Sequence, residues 1–206
     1  MRWLALVVCL VPASAGAQAL DLTRPDPIAD ELADVRHAHH VERREAGHVL
    51  FWTGVVSVVA GGVVAGVMHE DPFALMFGLG TAGWGAVNAG LAIGLLDLGD
   101  GGFARIEADR LLRGEELRAA RERALRAQEQ SGAFFALNLG LDVFYVAAGV
   151  LLYFLADQLE GEQDAQFLRG YSVAMTSQGA FLLGFDLVEW IASSARASRI
   201  AAIEAP

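Results

Sequence analysis

The chain has 206 residues, of which 54% are hydrophobic and only 19% charged, with a formal net charge of −10. A soluble domain carries roughly 25% charged residues, and here the few charges are also segregated into residues 20–48, 97–132 and 157–170, leaving four long apolar blocks. Every basic residue is an arginine, and those of the longest polar segment are interleaved with acids. No basic stripe faces a phosphate backbone, so a nucleic-acid partner is not expected.

The first nineteen residues, MRWLALVVCLVPASAGAQA, read as a cleavable signal peptide. Arg2 supplies a positive start, Trp3 to Val11 an apolar core, Pro12 a helix break, and Ala17 and Ala19 a small-residue cleavage pattern. The core falls well short of the about 20 apolar residues that a spanning helix needs. Cys9, the only cysteine, leaves with this segment, which excludes disulfides and thiolate metal sites from the mature chain.

Residues 20–48 form a polar approach that contains RHAHHVERREAGH (36–48) and four of the five histidines. On a helix His37 and His40 are neighbours, and His48 lies two turns beyond His40 on the same side. Imidazoles so spaced are candidate ligands for zinc or copper; the competing expectation, favoured here, is an exposed helix leading into the membrane.

The four blocks follow. VLFWTGVVSVVAGGVVAGVM (49–68) and FALMFGLGTAGWGAVNAGLAIGLL (73–96) carry no charge, AFFALNLGLDVFYVAAGVLLYFLA (133–156) carries Asp142, and YSVAMTSQGAFLLGFDLVEWIASSA (171–195) carries Asp186 and Glu189. Each is long enough to cross about 30 Å of hydrocarbon as a helix, and none shows the polar face of a helix in a soluble bundle. The expected fold is all-α: an integral membrane four-helix bundle, with one charged extramembrane helix over 103–131 between spans two and three and a tail over 196–206. In that charged helix Asp109/Arg113 and Glu122/Arg126 sit at favourable i,i+4 spacing. In the spans, Ser57/Gly61/Ala65, Gly62/Gly66 and Gly90/Gly94 recur every fourth residue, as small residues do where membrane helices pack closely.

An aspartate at the centre of a span costs about 2.5–3.5 kcal/mol on insertion, and each Leu, Ile, Phe or Val returns about 0.3–0.6 kcal/mol. The third block holds thirteen such residues against one acid, whereas the fourth holds eight against two. The fourth is marginal alone and needs partners. Asn138, Asp142 and Tyr145 share a face of the third block, Gln178, Asp186 and Glu189 one side of the fourth, and Asn88 projects from the second. With no arginine inside any block, these seven residues are expected to meet in the bundle interior, as a register-fixing cluster or as a proton or cation route.

Orientation is contested within the sequence. A cleaved signal places residue 20, segment 97–132 and the C-terminus on the translocated side of a bacterial inner membrane, with both termini periplasmic. Thirteen arginines then lie outside and Arg169 alone inside, against the tendency of arginine to stay in the cytoplasm.

Three stretches, AGWGAVNAGLAIG (82–94), LNLGLDVFYVAAG (137–149) and RGYSVAMTSQGAFLLGFD (169–186), carry a resemblance. Gly83, Trp84 and Asn88, then Asn138, Gly140, Leu141, Asp142 and Tyr145, then Gly170, Tyr171, Gln178, Gly179, Phe181, Leu182, Leu183, Phe185 and Asp186 resemble the pattern of a family of small bacterial multi-pass membrane proteins known only as a domain of unknown function. The likeness covers residues 49–190, and the first block departs most, being largely Gly and Val. It implies a signal peptide and four helices, and no activity. The expected role is a structural or assembly component of the bilayer, alone, as a homo-oligomer or with a membrane-protein partner. The alternatives are a small proton- or cation-conducting unit and a metal-binding protein acting through the histidines. No cofactor is expected and no catalysis is assigned.

Overall fold

The computed structural model describes residues 26–96 and 101–203, so the expected signal peptide over residues 1–19 lies outside the described residues. The order is α1 (Pro27–Val67), α2 (Pro72–Leu96), α3 (Gly101–Asp109), α4 (Gly114–Leu155), a 3-10 turn (Ala156–Gln158) and α5 (Glu162–Ala202), with no strand among the described residues.

Local chemistry sets the ends. Asp26 caps α1 by accepting from the Ile28 N–H at 2.9 Å, with Pro27 in the first turn where its missing N–H costs nothing. Asp71 does the same for α2, accepting from the Ala74 N–H at 3.1 Å ahead of Pro72. Gly114, at φ 51°, takes the left-handed conformation that a residue without Cβ adopts freely, and so turns the chain from α3 into α4.

That turn revises the expected charged helix. Residues 103–131 are not one element: most of the first part is α3, and the rest is the opening half of α4, which continues unbroken into the third apolar block. Asp109 and Arg113 therefore lie on opposite sides of a break, and Asp109 pairs instead with Arg36 of α1. The Glu122–Arg126 pair forms at 3.4 Å. In the same way, α1 joins the polar approach to the first block, and α5 joins the fourth block to most of the tail.

Three segments are long and apolar enough to cross a membrane: α1, the stretch from Pro72 to Asp109, and α4 with its 3-10 extension. The fourth expected span, in α5, is not among them, because Asp186, Glu189 and a run of Ser, Thr and Gln dilute its apolar residues.

The helices make two tiers. In the apolar tier α1 packs on α2, α2 on α5 and α5 on α4, while α1 and α4 scarcely touch. Glycine brings these backbones together. On α1 and α2, Gly54 and Gly61 face Gly85 and Gly78, each pair seven residues apart, and a Cβ built on Gly61 would lie 2.5 Å from the Gly78 carbonyl oxygen. Gly80 meets Ala174 between α2 and α5, and Gly179 meets Tyr145 between α5 and α4. Ser57 and Ala65 join the α1–α2 seam as expected, but Gly62, Gly66, Gly90 and Gly94 have no atom near the place of a Cβ and face outward. Their four-residue spacing marks no packing face here.

The charged tier is built differently. Ala29, Leu32, Leu117, Ala120, Ala124, Ile200 and Ile203 form its core, where α1, α4 and α5 converge. The positions 117, 120 and 124 make a stripe on α4 that was hidden from the sequence reading because two of its three members are alanines.

Candidate functional site

Between α2 and α4, over α5, lies a cavity of about 440 Å³. Asn88, Asn138, Asp142, Tyr145, Trp84 and Asp186 contribute its polar and aromatic lining. Its walls include Val87, Leu91, Phe134 and Leu141, all exposed on the outer apolar surface, so the cavity reaches the side of the bundle. Trp84 and Tyr145 bridge α2 and α4 edge to face, with ring centroids 5.0 Å apart.

Asp142 and Asp186 are 3% and 5% exposed, and their carboxyl groups face one another across the α4–α5 seam. Two facing carboxyl groups hydrogen-bond only through a shared proton, since ionised oxygens are acceptors alone. Oδ2 of Asp142 has no partner beyond the Asp186 carboxyl group, and Oδ1 of Asn88 is buried without a hydrogen-bond partner. Buried polar atoms in native proteins are nearly always paired, because an unpaired one loses its hydration with nothing in return. Both atoms are acceptors, and both residues line the cavity.

A chain of amides leads off behind the floor. Nδ2 of Asn88 donates to Oε1 of Gln178 at 3.2 Å, and Nε2 of Gln178 donates to Ser57 at 3.5 Å, tying α2, α5 and α1 together. Of the seven residues expected to converge, five line the cavity, and Gln178 stands behind it as a brace. Glu189 does not join them. It lies 3.5 Å from Arg196, one of the arginines of the C-terminal segment and two turns farther along α5.

That pair opens a second buried network, in the charged tier. Arg196 donates to Oε1 of Gln128 at 3.2 Å, to Ser193 at 3.1 Å and to Glu42 at 3.0 Å. The amide nitrogen of Gln128 lies 2.6 Å from Nδ1 of His39, an arrangement that needs a neutral ring accepting at Nδ1. Burial, with the positive charges of Arg196 and Arg43 beside it, pulls His39 down to about 4. The sequence reading missed this network. Its signal was the series Glu189, Ser193, Arg196 and Ile200, one face of α5 that continues past the apolar block.

The histidine spacing does not yield a metal set. His37 and His40 pack on the ring of Phe103, with centroids 5.0 and 4.4 Å away, so an aromatic ring fills the space next to them. His48 is exposed farther along α1. Among the described residues no three His, Cys, Asp or Glu side chains converge as metal ligands.

An all-helical chain with three helices long and apolar enough for a membrane, and a carboxyl pair set between its helices, defines the class. A family model described as a family of unknown function (DUF6992) matches residues 49–187, more than half of the chain, and the chain belongs to that family. The match spans every cavity residue except Arg43, which lines the end nearest the charged tier. No curated protein and no solved structure matches the chain.

Proposed function

We propose that this is a four-span protein of a bacterial inner membrane that binds a small ligand in the cavity between α2 and α4, with Asp142 and Asp186 as the binding residues. The observation that carries this reading is the unmatched Oδ1 of Asn88 beside the facing carboxyl groups of Asp142 and Asp186, all lining a cavity walled by exposed apolar residues. A mostly apolar recess with a few convergent polar groups is what ligand sites share. Ionisable residues buried among apolar helices mark function by default.

The assembly role expected from the sequence survives in part of the cluster. Asn88, Gln178 and Ser57 tie three helices together and leave the carboxyl pair free for another task. A proton or cation path along the bundle is less well supported, since the next acid on α5, Glu189, is held by Arg196 in an ion pair. The same pairing supports α5 as the fourth span. Asp186 is buried and Glu189 is paired, so neither acid is left for the hydrocarbon to solvate.

The charged tier gathers the start of α1, the α2–α4 connection and the end of α5. The signal-like N-terminus puts that tier in the periplasm and the arginine distribution argues for the cytoplasm; we side with the signal. A C-terminal reporter fusion that is active only in the periplasm is the expected result, and cytoplasmic activity reverses the topology.

The binding reading is tested with Leu91→Trp, which narrows the cavity mouth from an exposed wall position. Purified from membranes in a mild non-ionic detergent, the wild-type chain is expected to retain a small-molecule adduct in native mass spectrometry, and the variant to lose it. Identical spectra for the two would sink the reading.

A further inference from the structure

We infer that the ligand is an amphiphilic amine: a primary ammonium seated on Asp142 and Asp186, with its hydrocarbon body along Val87, Leu91 and Phe134. This rests on the binding reading above and narrows it to a chemical class.

The hydrogen-bonding valence of the floor gives the first argument. Oδ1 of Asn88 is an unmatched acceptor, and Oδ2 of Asp142 has no partner beyond the Asp186 carboxyl group. A carboxylate, phosphate or ketone would bring only further lone pairs to them. A primary ammonium brings three N–H donors and no lone pair.

Charge gives the second argument. When one proton is shared between the two carboxyl groups, one negative charge remains, and a buried charge needs a counter-charge. Among the described residues the nearby arginines are engaged elsewhere. Arg196 is engaged by Glu42, Glu189, Gln128 and Ser193. Arg43, the cation of the cavity lining, donates to the Gly94 carbonyl at the end of α2. Gly94 is six residues from Asn88, about 9 Å along the helix.

Access gives the third argument. Val87, Leu91, Phe134 and Leu141 are 50%, 59%, 56% and 45% exposed while lining the cavity, so an apolar tail can stay on the outer apolar surface as the head enters.

The test uses the full chain in a non-ionic detergent near pH 7.5, with native mass spectrometry as the readout. Its probes are dodecylamine, 1-dodecanol and dodecyltrimethylammonium. Dodecylamine is expected to bind roughly tenfold or more tightly than dodecanol, the factor a charged hydrogen bond commands. It should also exceed the trimethyl analogue, which has the charge but no N–H. Leu91→Trp has the same net charge as the wild type and should weaken dodecylamine, which separates the cavity from general attraction to an acidic chain. The advantage of the amine should vanish in Asp142→Asn/Asp186→Asn. Should that variant not fold, the comparison of the three probes on the wild-type chain still decides. Dodecanol binding as tightly as the amine, with both lost in Leu91→Trp, overturns the amine and leaves the binding reading standing. A trimethyl analogue equal to the amine overturns the hydrogen-bonded head. If none of the probes binds and wild type and Leu91→Trp also retain the same adducts from membranes, both proposals fall.

Discussion

In the charged tier Leu32, Leu117 and Ile200 are enclosed together with Arg196; in the apolar tier the inside holds glycine, Asn88, Asp142 and Asp186, and the outside is Val56, Leu91, Phe144 and Val188. The same long helices run through both, and the inversion fits helices long and apolar enough to cross a membrane. Water rewards burying leucine. Hydrocarbon does not, and there close backbone contact and interhelical hydrogen bonds hold helices together. The two polar networks differ in the same instructive way. Arg196, Gln128 and Ser193 satisfy one another and read as structure, while Asn88 keeps an acceptor unmet beside the Asp142 and Asp186 carboxyl groups and reads as part of a site.

Breaking the satisfied network should cost most. Arg196→Met leaves Glu189 and Gln128 buried without their donor, and removing one partner of a buried pair typically costs about 3 kcal/mol or more. Thermal unfolding in detergent, followed by circular dichroism, should show this as the largest loss of the set. A melting temperature equal to that of the wild type would mean that the network is not what holds the tier.

Next come the glycine seams. Gly61→Val sets side-chain atoms where the Gly78 carbonyl oxygen already lies 2.5 Å from an added Cβ, and should destabilise by about 1–3 kcal/mol. Gly62→Val, one residue on and facing outward, should change little. Equal effects in the same melts would dissolve the distinction between inner and outer glycines.

The pH response of the charged tier is of similar or slightly smaller size. An unfolded histidine titrates near 6.5, and His39 in the folded chain is drawn down to about 4 by burial and by Arg196, Arg43, His40 and Arg36. The unfolded state therefore binds the extra proton first. The stabilisation is whole above pH 6.5, declines as the pH falls and is gone below 4. We expect about 2 kcal/mol of loss across that window, after discounting for partial exposure. His39→Gln should flatten this part of the pH profile, and an unchanged profile would remove His39 as its cause.

Smallest is Asp142→Asn. Hydrogen bonds between membrane helices average about 0.6 kcal/mol, so the fold should persist almost unchanged while binding at the cavity is lost. An unfolded Asp142→Asn would move the carboxyl pair from the site to the scaffold.

Much of the apolar tier was legible in the sequence, because lone acids in apolar blocks must turn inward. The spacing of Asn138, Asp142 and Tyr145, and of Gln178 and Asp186, sufficed to bring these residues to one place. The cavity was not legible, since it exists where α2 and α4 fail to meet, and a sequence pattern records contacts more readily than gaps. Glu189 stays outside the cavity because it pairs with Arg196, which lies beyond the apolar block. The break before Gly114 was missed as well. Gly114 alone of the described glycines takes a positive φ, and a lone glycine within a charged run gives little warning of it.

One consequence follows from the continuity of α4. From Gly114 to Leu155 it is a single rod with no hinge, carrying Gln128 at one level and Asp142 fourteen residues along, about 21 Å away. Gln128 of the charged network and Asp142 of the carboxyl pair are therefore carried on one continuous helix, at a set separation along its axis.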